Sequence, residues 1–526
     1  MPYTLTVVDT RGIQKYIYGT NSLKQNVGAS YLVDCSTRHW LVDCLPYPHN
    51  VINIDKIKPN ERINRRKIEE GDLAAELLYT GGGNAALLFK DREYAVEFAR
   101  CLTRKVLLEA PGLNLALVHS DFDWEDHNLH EVLGETMDTL AERKANQAAS
   151  TPMLGQGVTA ACVYTGMPAV GYVEDRLISA EAAAKINGAQ KANERLEAQL
   201  KEELDLRGHK IPMDFEELGR TRGESSYIAI VHSDGNRMGE RITNYLSGHS
   251  SSNRSLITAQ RDFSYSIEKN FREALKETTN QLIEAISNET LAGIELRENK
   301  LPFRPIVFGG DDLTFVCDGR LGLSLAVYYL RKLAEKRLVD DEPIYARAGV
   351  AVVKTRFPFA RGYALAEELC SSAKKRVTEL KGRYKKGAIA LDWHFATGGL
   401  LDDLGSIRKR EYTLPENRYL YLRPLSLNCE EDWRSWANFE RVVQGFQKEP
   451  WKDRRNKVKA LREILRTGSR DAVGWFLKAH SIAAGLPDIP EQPDMKSKGW
   501  QGEYCGYFDA IEAMDFYIPF EGGEGQ

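Results

Sequence analysis

The sequence predicts a mixed α/β (α+β) protein in which one domain is duplicated and a helical region follows. Two strand–turn–strand segments carry this reading. Residues 77–89 read Leu-Leu-Tyr-Thr-Gly-Gly-Gly-Asn-Ala-Ala-Leu-Leu-Phe, and residues 306–317 read Ile-Val-Phe-Gly-Gly-Asp-Asp-Leu-Thr-Phe-Val-Cys. Each follows a strand-end aspartate at a similar distance: 73 residues separate Asp9 from Gly82, and 75 separate Asp234 from Gly309. A repeat near 225 residues is too long for a solenoid and reads as a duplicated domain folded into a pseudo-dimer. Past residue 400 the apolar spacing becomes that of amphipathic helices. The expected units are a first copy (1–176), a helical linker (177–224), a second copy (225–398) and a helical C-terminal domain (399–526).

Each element has a local reason. Aligning Gly82-Gly83 with Gly309-Gly310 puts Asn84 opposite Asp311 and Ala85 opposite Asp312. Leu113–Val118 and Ala348–Val353 are apolar strands at corresponding places, and Ser179 to Lys185 echoes Ser371-Ser-Ala-Lys374 as a helix bearing a lysine. Residues 177–203 are rich in Ala, Glu, Lys, Gln and Leu, good helix formers with few apolar positions at core spacing. Gly208, Pro212, Gly219 and Gly223 mark a loop before the second copy. Tyr227–Val231 is a buried-strand pattern ending at Asp234-Gly235. Trp433–Phe446 and Lys452–Thr467 are amphipathic, the latter with Val458, Leu461, Ile464 and Leu465 on one side. The last residues, Glu521–Gln526, have little to bury and are expected to be disordered.

The chemistry concentrates in the second copy. Gly309-Gly310 suits a hairpin turn that needs positive φ or close backbone approach, which lifts Asp311 and Asp312 to its tip. Adjacent carboxylates repel each other. A divalent cation removes the repulsion, and carboxylate oxygens are the ligands that Mg²⁺ or Mn²⁺ prefers. Asp234 adds a third carboxylate at a strand end, with Gly235 and a following helix to offer backbone N–H groups to phosphate. Three carboxylates suffice for two ions about 4 Å apart, the arrangement of nucleotidyl-transfer sites. The first copy, with Asn84 and Ala85, cannot supply those ligands. Its Gly82-Gly83-Asn84 turn still lets backbone approach a nucleotide, so this copy either holds the other substrate or is purely structural. Asp121 to His127 reads as a solvated acidic loop. The basic run Lys374 to Lys386 is either a solvated helix face or a meeting place for a triphosphate.

These residues carry a resemblance. Asp234-Gly-x-x-Met238-Gly239, the Gly-Gly-Asp-Asp hairpin and Ala366-Glu-Glu-Leu-Cys-Ser-Ser-Ala-Lys374 resemble the second palm of the large subunit of type III CRISPR effector complexes. The opening, Asp9-Thr-Arg-Gly12-Ile-Gln14 and then Gly28-Ala-Ser30-Tyr-Leu, is similar to the start of that family's first palm. The match spans roughly residues 1–395. It implies two ferredoxin-like, nucleotidyl cyclase-like palms packed face to face, making cyclic oligoadenylate messengers from ATP in antiviral defence. It implies Asp234, Asp311 and Asp312 as catalytic residues and ligands of two Mg²⁺ or Mn²⁺. Gly235, Gly309, Gly310, Lys374, Gly82, Gly83, Asn84 and Ser30 would contact the nucleotide. Its implied partner is an RNA-guided effector complex or another activator, and a homo-oligomer is compatible with it. One departure is Asn236, where the family often has a second aspartate.

Composition narrows the classes. The 526 residues should hold two to four domains; 42% hydrophobic and 28% charged content are ordinary for a soluble protein. A net charge of −4 argues against a protein built to coat nucleic acid. Eight cysteines show no Cys-x-x-Cys, so zinc is not expected; their scatter suggests thiols in a reducing cytoplasm. No run of 18 apolar residues exists, so no membrane span is expected. No His-Asp dipeptide occurs, so the resemblance implies no DNA-degrading histidine-aspartate domain. Two rival readings stay open: a diguanylate-cyclase-like enzyme using GTP, and a non-catalytic nucleotide-binding scaffold of an RNA-guided complex.

Overall fold

The computed structural model describes every residue except 1, 57, 147–154, 204, 219–225, 292, 382–386, 397, 399–401, 430 and 520–526. The tail at Glu521–Gln526, part of the loop before the second copy, and Arg383, Lys385 and Lys386 lie outside the described residues.

The first copy runs β1 (Pro2–Arg11), α1 (Ile13–Tyr18), α2 (Leu23–Thr37), β2 (Ala75–Gly81), β3 (Asn84–Phe89), α3 (Arg92–Glu109), β4 (Asn114–Asp123) and α4 (Leu129–Asn146). Its four strands are antiparallel in the order β2-β3-β1-β4, the ferredoxin-like arrangement. Helix α3 shows why sequence and element agree. The Asp91 carboxylate caps it by accepting from the Glu93 and Tyr94 N–H groups, and Ala95, Phe98, Leu102 and Val106 bury one stripe. The linker helix α5 (Ala180–Glu203) lies along α2. Its Lys185, the counterpart expected for Lys374, is buried and donates to the Tyr16 carbonyl (2.7 Å) and Glu181 Oε1 (2.6 Å), so it serves packing.

The second copy runs β5 (Tyr227–Gly235), α6 (Met238–Ser247), α7 (Asn253–Ser287), β6 (Phe303–Val307), β7 (Leu313–Asp318), α8 (Gly322–Ala334), β8 (Ala346–Lys354), α9 (Phe359–Lys381) and β9 (Ala390–Ala396). Strand order β8-β5-β7-β6 repeats the first copy. Helix α9 then crosses over to lay β9 parallel to β8, and β10 (Leu425–Ser426) adds a sixth strand from beyond residue 399. The C-terminal region holds α10 (Leu404–Glu411), α11 (Trp436–Gln447), α12 (Arg455–Arg466) and α13 (Arg470–Ala479), with Val458, Leu461 and Leu465 of α12 buried. It also contains a small sheet that the helical reading omitted, made of strands at 413–414, 418–419, 500–501 and 504–505.

The two copies share one core. Val8, Tyr18, Val27 and Leu32 of the first pack in one cluster with Ile230, Val316, Val353 and Leu369 of the second. Buried charge ties α7 to the first copy as well. Burial would raise the Glu268 carboxyl, but the Arg38 and Arg62 guanidinium groups hold it at about 2. Glu76 is likewise held low by Arg254 and Arg261. One expectation is corrected: Cys44 and Cys101 form a disulfide, because the C-terminal end of the short helix His39–Asp43 packs on α3 with the two Cα atoms 5.7 Å apart. The other six cysteines are buried thiols. Among the described residues no helix is long and apolar enough to cross a membrane.

Candidate active site at the facing hairpins

The Gly-Gly-Asp-Asp segment forms the connection between β6 and β7, as the glycine pair predicted. Gly309 takes φ +138°, a value costly for any other residue. Across the cleft stands the hairpin of the first copy. A Cβ on Gly310 would lie 3.7 Å from the Gly82 Cα and 3.9 Å from its nitrogen, so the two glycine turns meet backbone to backbone. Strand β5 reaches the same place, since a Cβ on Gly235 would lie 3.2 Å from the Asp311 Cβ.

Strand register corrects the alignment of the repeats by one residue. Asp9 pairs with Asn84 across β1 and β3, while Ser233 pairs with Leu313, which sets Asp234 beside Asp312 at the next step. Residues in the left-handed conformation follow each aspartate by three: Gly12 after Asp9 and Arg237 after Asp234. Asn84 therefore corresponds to Asp312 rather than Asp311. The cause is turn length. Gly81 pairs with Asn84 across a two-residue turn, whereas the second hairpin closes only at Val307 and Thr314.

The electrostatics separate the three carboxylates. Asp234 faces Arg347 across the register of β5 and β8 and is ion-paired with it. The same guanidinium donates to Asn236 Oδ1 (2.9 Å) and the Gly235 carbonyl (3.2 Å). Asp311 and Asp312 have no ion pair among the described residues. Asp312 is open to solvent by surface area yet enclosed by protein on most sides. That enclosure, followed by the charges of Asp311 and Asp234, pushes its carboxyl up to about 7. Asp311 is raised for the same reasons, burial first and then Asp234. The charge of Glu367 on α9 adds a smaller upward push on Asp312, and the Glu367 Oε1 accepts from Gln14 Nε2 of α1 at 2.8 Å. Tyr18 stacks on Tyr363 with ring centroids 3.7 Å apart, and His232 bonds Thr314 (3.2 Å) beneath them.

Ser30 lines a cavity of about 60 Å³ together with Gly309, Phe308, Tyr31 and Arg304. Lys374 continues the Tyr363, Glu367, Cys370 stripe of α9 one turn further; it is exposed and has no ion pair among the described residues. Asp9, at the first copy's equivalent of Asp234, is closed off by Lys144 at 2.5 Å. Asp121 is exposed and paired with Arg92, and it lies within β4, which runs to Asp123, rather than opening the expected acidic loop. Sequence reasoning missed Arg347, Gln14 and Tyr363. A register argument between the apolar strands would have found Arg347, which immediately precedes the strand segment Ala348–Val353.

Among the described residues no three His, Cys, Asp or Glu side chains are grouped so that they could hold a metal ion, the expected set of Asp234, Asp311 and Asp312 included. Mg²⁺ rarely uses such a group, since it binds through one or two carboxylates, substrate phosphates and water. Two unpaired, mutually repelling carboxyls at a glycine turn suit that mode.

No protein-family profile matches the chain, and no curated protein does. Solved structures do. The Csm1-Csm4 cassette in complex with cA4 matches with a TM-score of 0.53 at 13% identity, over 99% of this chain and 70% of that one. The apo Csm1-Csm4 cassette matches with 0.54 at 15%, over 99% and 70%, and the cassette with AMPPNP with 0.53 at 15%, over 98% and 69%. The Csm1-Csm4 subcomplex in the type III-A CRISPR-Csm interference complex is similar to the same degree, with a TM-score of 0.53 at 13% identity over 99% and 70%. At such identity the likeness is one of fold, and the fold is that of Csm1, paired palms with a helical region.

Proposed function

We propose that the chain is a nucleotidyltransferase that makes cyclic oligonucleotides, cyclic oligoadenylate first among them, from ATP in CRISPR-type antiviral defence. The observation that carries this reading is the unpaired Asp311-Asp312 tip set against the Gly82 turn of the other palm. Neighbours solved with cA4, cA3, pppApA and AMPPNP support it, as does one that belongs to a type III-A CRISPR-Csm interference complex.

Asp311 and Asp312 would hold Mg²⁺ or Mn²⁺, which when bound would lower the pKa of the attacking 3′-hydroxyl and offset charge on the α-phosphate. The 3′-oxygen bonds to the α-phosphorus, the bond from that phosphorus to the bridging oxygen breaks, and pyrophosphate leaves. The hydroxyl proton passes to water, because positioning and charge supply most of the catalysis and no side chain need act as base. Gly309 and Gly310 bring backbone close to the donor triphosphate, and Gly82, Gly83 and Asn84 face the acceptor from the first palm.

Incubation with each NTP and Mn²⁺, followed by mass analysis, should give cyclic adenylates from ATP. Cyclic di-guanylate from GTP would favour the cyclase reading, and no product from any NTP, with or without a guide complex, would leave a scaffold. Asn84→Ala should raise the KM for ATP about three- to tenfold with kcat retained, the scale of one hydrogen bond. Lys374→Ala should raise KM by about fivefold, since an exposed point charge contributes roughly 1 kcal/mol. Unchanged kinetics in both variants would make the first palm and the stripe on α9 structural.

A further inference from the structure

Resting on the nucleotidyl-transfer reading, we infer that this site works with one divalent cation and that the Arg347 guanidinium takes the place of a second. Two-ion sites rely on carboxylates that face both ions. Here Asp234 is already engaged by Arg347. That arginine does not lie loose on the surface. Its side chain is 7% exposed, and it is tied to Asp234, Asn236 Oδ1 and the Gly235 carbonyl at once.

Asn236 fits the same account. An aspartate there would give the site a fourth carboxylate and would suit a second ion. The neutral amide instead accepts from Arg347 and donates its own Nδ2–H to the Ala388 carbonyl at 3.0 Å, which fixes the amide's orientation. One position thus lacks a metal ligand while the strand beside it supplies a fixed positive charge. The Arg347 Nε–H is buried without a partner among the described residues, so the guanidinium acts here through its charge and its two Nη groups. Asp311 and Asp312 remain the only unpaired carboxylates of the three. They can hold one ion together with the substrate.

Mn²⁺ titration of the whole chain with α,β-methylene-ATP, read by electron paramagnetic resonance, tests this directly. The expected result is one protein-bound Mn²⁺ per chain with the spectrum of an isolated ion. Arg347→Gln should release Asp234 and add a second ion, close enough for spin coupling. Asp312→Asn should weaken Mn²⁺ binding by more than about tenfold, while Asp234→Asn should change it by less than about threefold. Two coupled ions in the unmodified chain would overturn the inference and leave the nucleotidyl-transfer reading standing. No bound ion at all would overturn both. Should Arg347→Gln fail to fold, Arg347→Lys and the count on the unmodified chain decide alone; a second ion in the lysine variant would contradict the role given to the charge.

Discussion

Asp311→Ala combined with Asp312→Ala should lower product formation about 10³-fold or more while the chain stays folded. Losing one preorganised electrostatic contact in an active site typically costs 10²–10³-fold, and this variant removes both unpaired carboxylates. The fold should survive because the two side chains sit on a hairpin tip and hold no other element in place. Stability without metal should change in a pH-dependent way. A carboxyl pushed up to about 7 in the folded state binds its proton more tightly there than in the unfolded chain, whose value is about 3.9. Its contribution to stability is therefore complete below about pH 4 and is lost as pH rises through 7. The unmodified, metal-free protein should lose Tm over that window relative to the double variant. Added Mn²⁺ should reverse the difference, because it stabilises only the chain that retains the carboxylates. Full turnover by the variant, or parallel Tm curves from pH 4 to 8, would contradict the assignment.

How much of this site was readable in the sequence depends on the range of the interactions involved. The hairpin, its aspartates and the Asp234 strand end were legible because glycine, aspartate and apolar runs act over a few residues. The duplication was legible because it repeats those local signals. Its register was not. Counting from the glycines placed Asn84 opposite Asp311, and only the ladder between β1 and β3, set beside that between β5 and β7, shows the two-residue turn that shifts it. Arg347 stayed hidden for a related reason. It precedes an apolar strand and looks like an ordinary flank; its meaning comes from facing Asp234, 113 positions away in the chain. The Cys44–Cys101 bridge also depends on helix packing that spacing does not announce. Lys374 lies on α9, the helix expected from the sequence, but helical period says nothing of its reach.

Gly349→Ala should be among the most damaging single substitutions outside the aspartates, through packing that holds the site together. Gly349 lies in β8 two residues past Arg347, with α9 directly over it. A Cβ there would come within 2.1 Å of the Ala366 carbonyl oxygen and 2.4 Å of the Cys370 nitrogen. Both are helix backbone, so no rotamer change relieves the clash and α9 must lift from the sheet. Overpacking of this kind costs about 1–3 kcal/mol and sometimes more, and the upper end is expected where the obstacle is backbone. The lift would also carry Tyr363, Glu367 and Cys370 away from the aspartates. Activity should therefore fall further than stability alone accounts for, measured well below the variant's Tm. Gly134→Ala supplies the control, since nothing lies within 4 Å of its Cβ position on the exposed face of α4. That change should stabilise by about 0.5–1 kcal/mol, the helix-propensity difference between the two residues, and leave turnover unaltered. A Gly349→Ala protein as stable and as active as the unmodified chain would mean that α9 is not seated on β8 as closely as this packing requires.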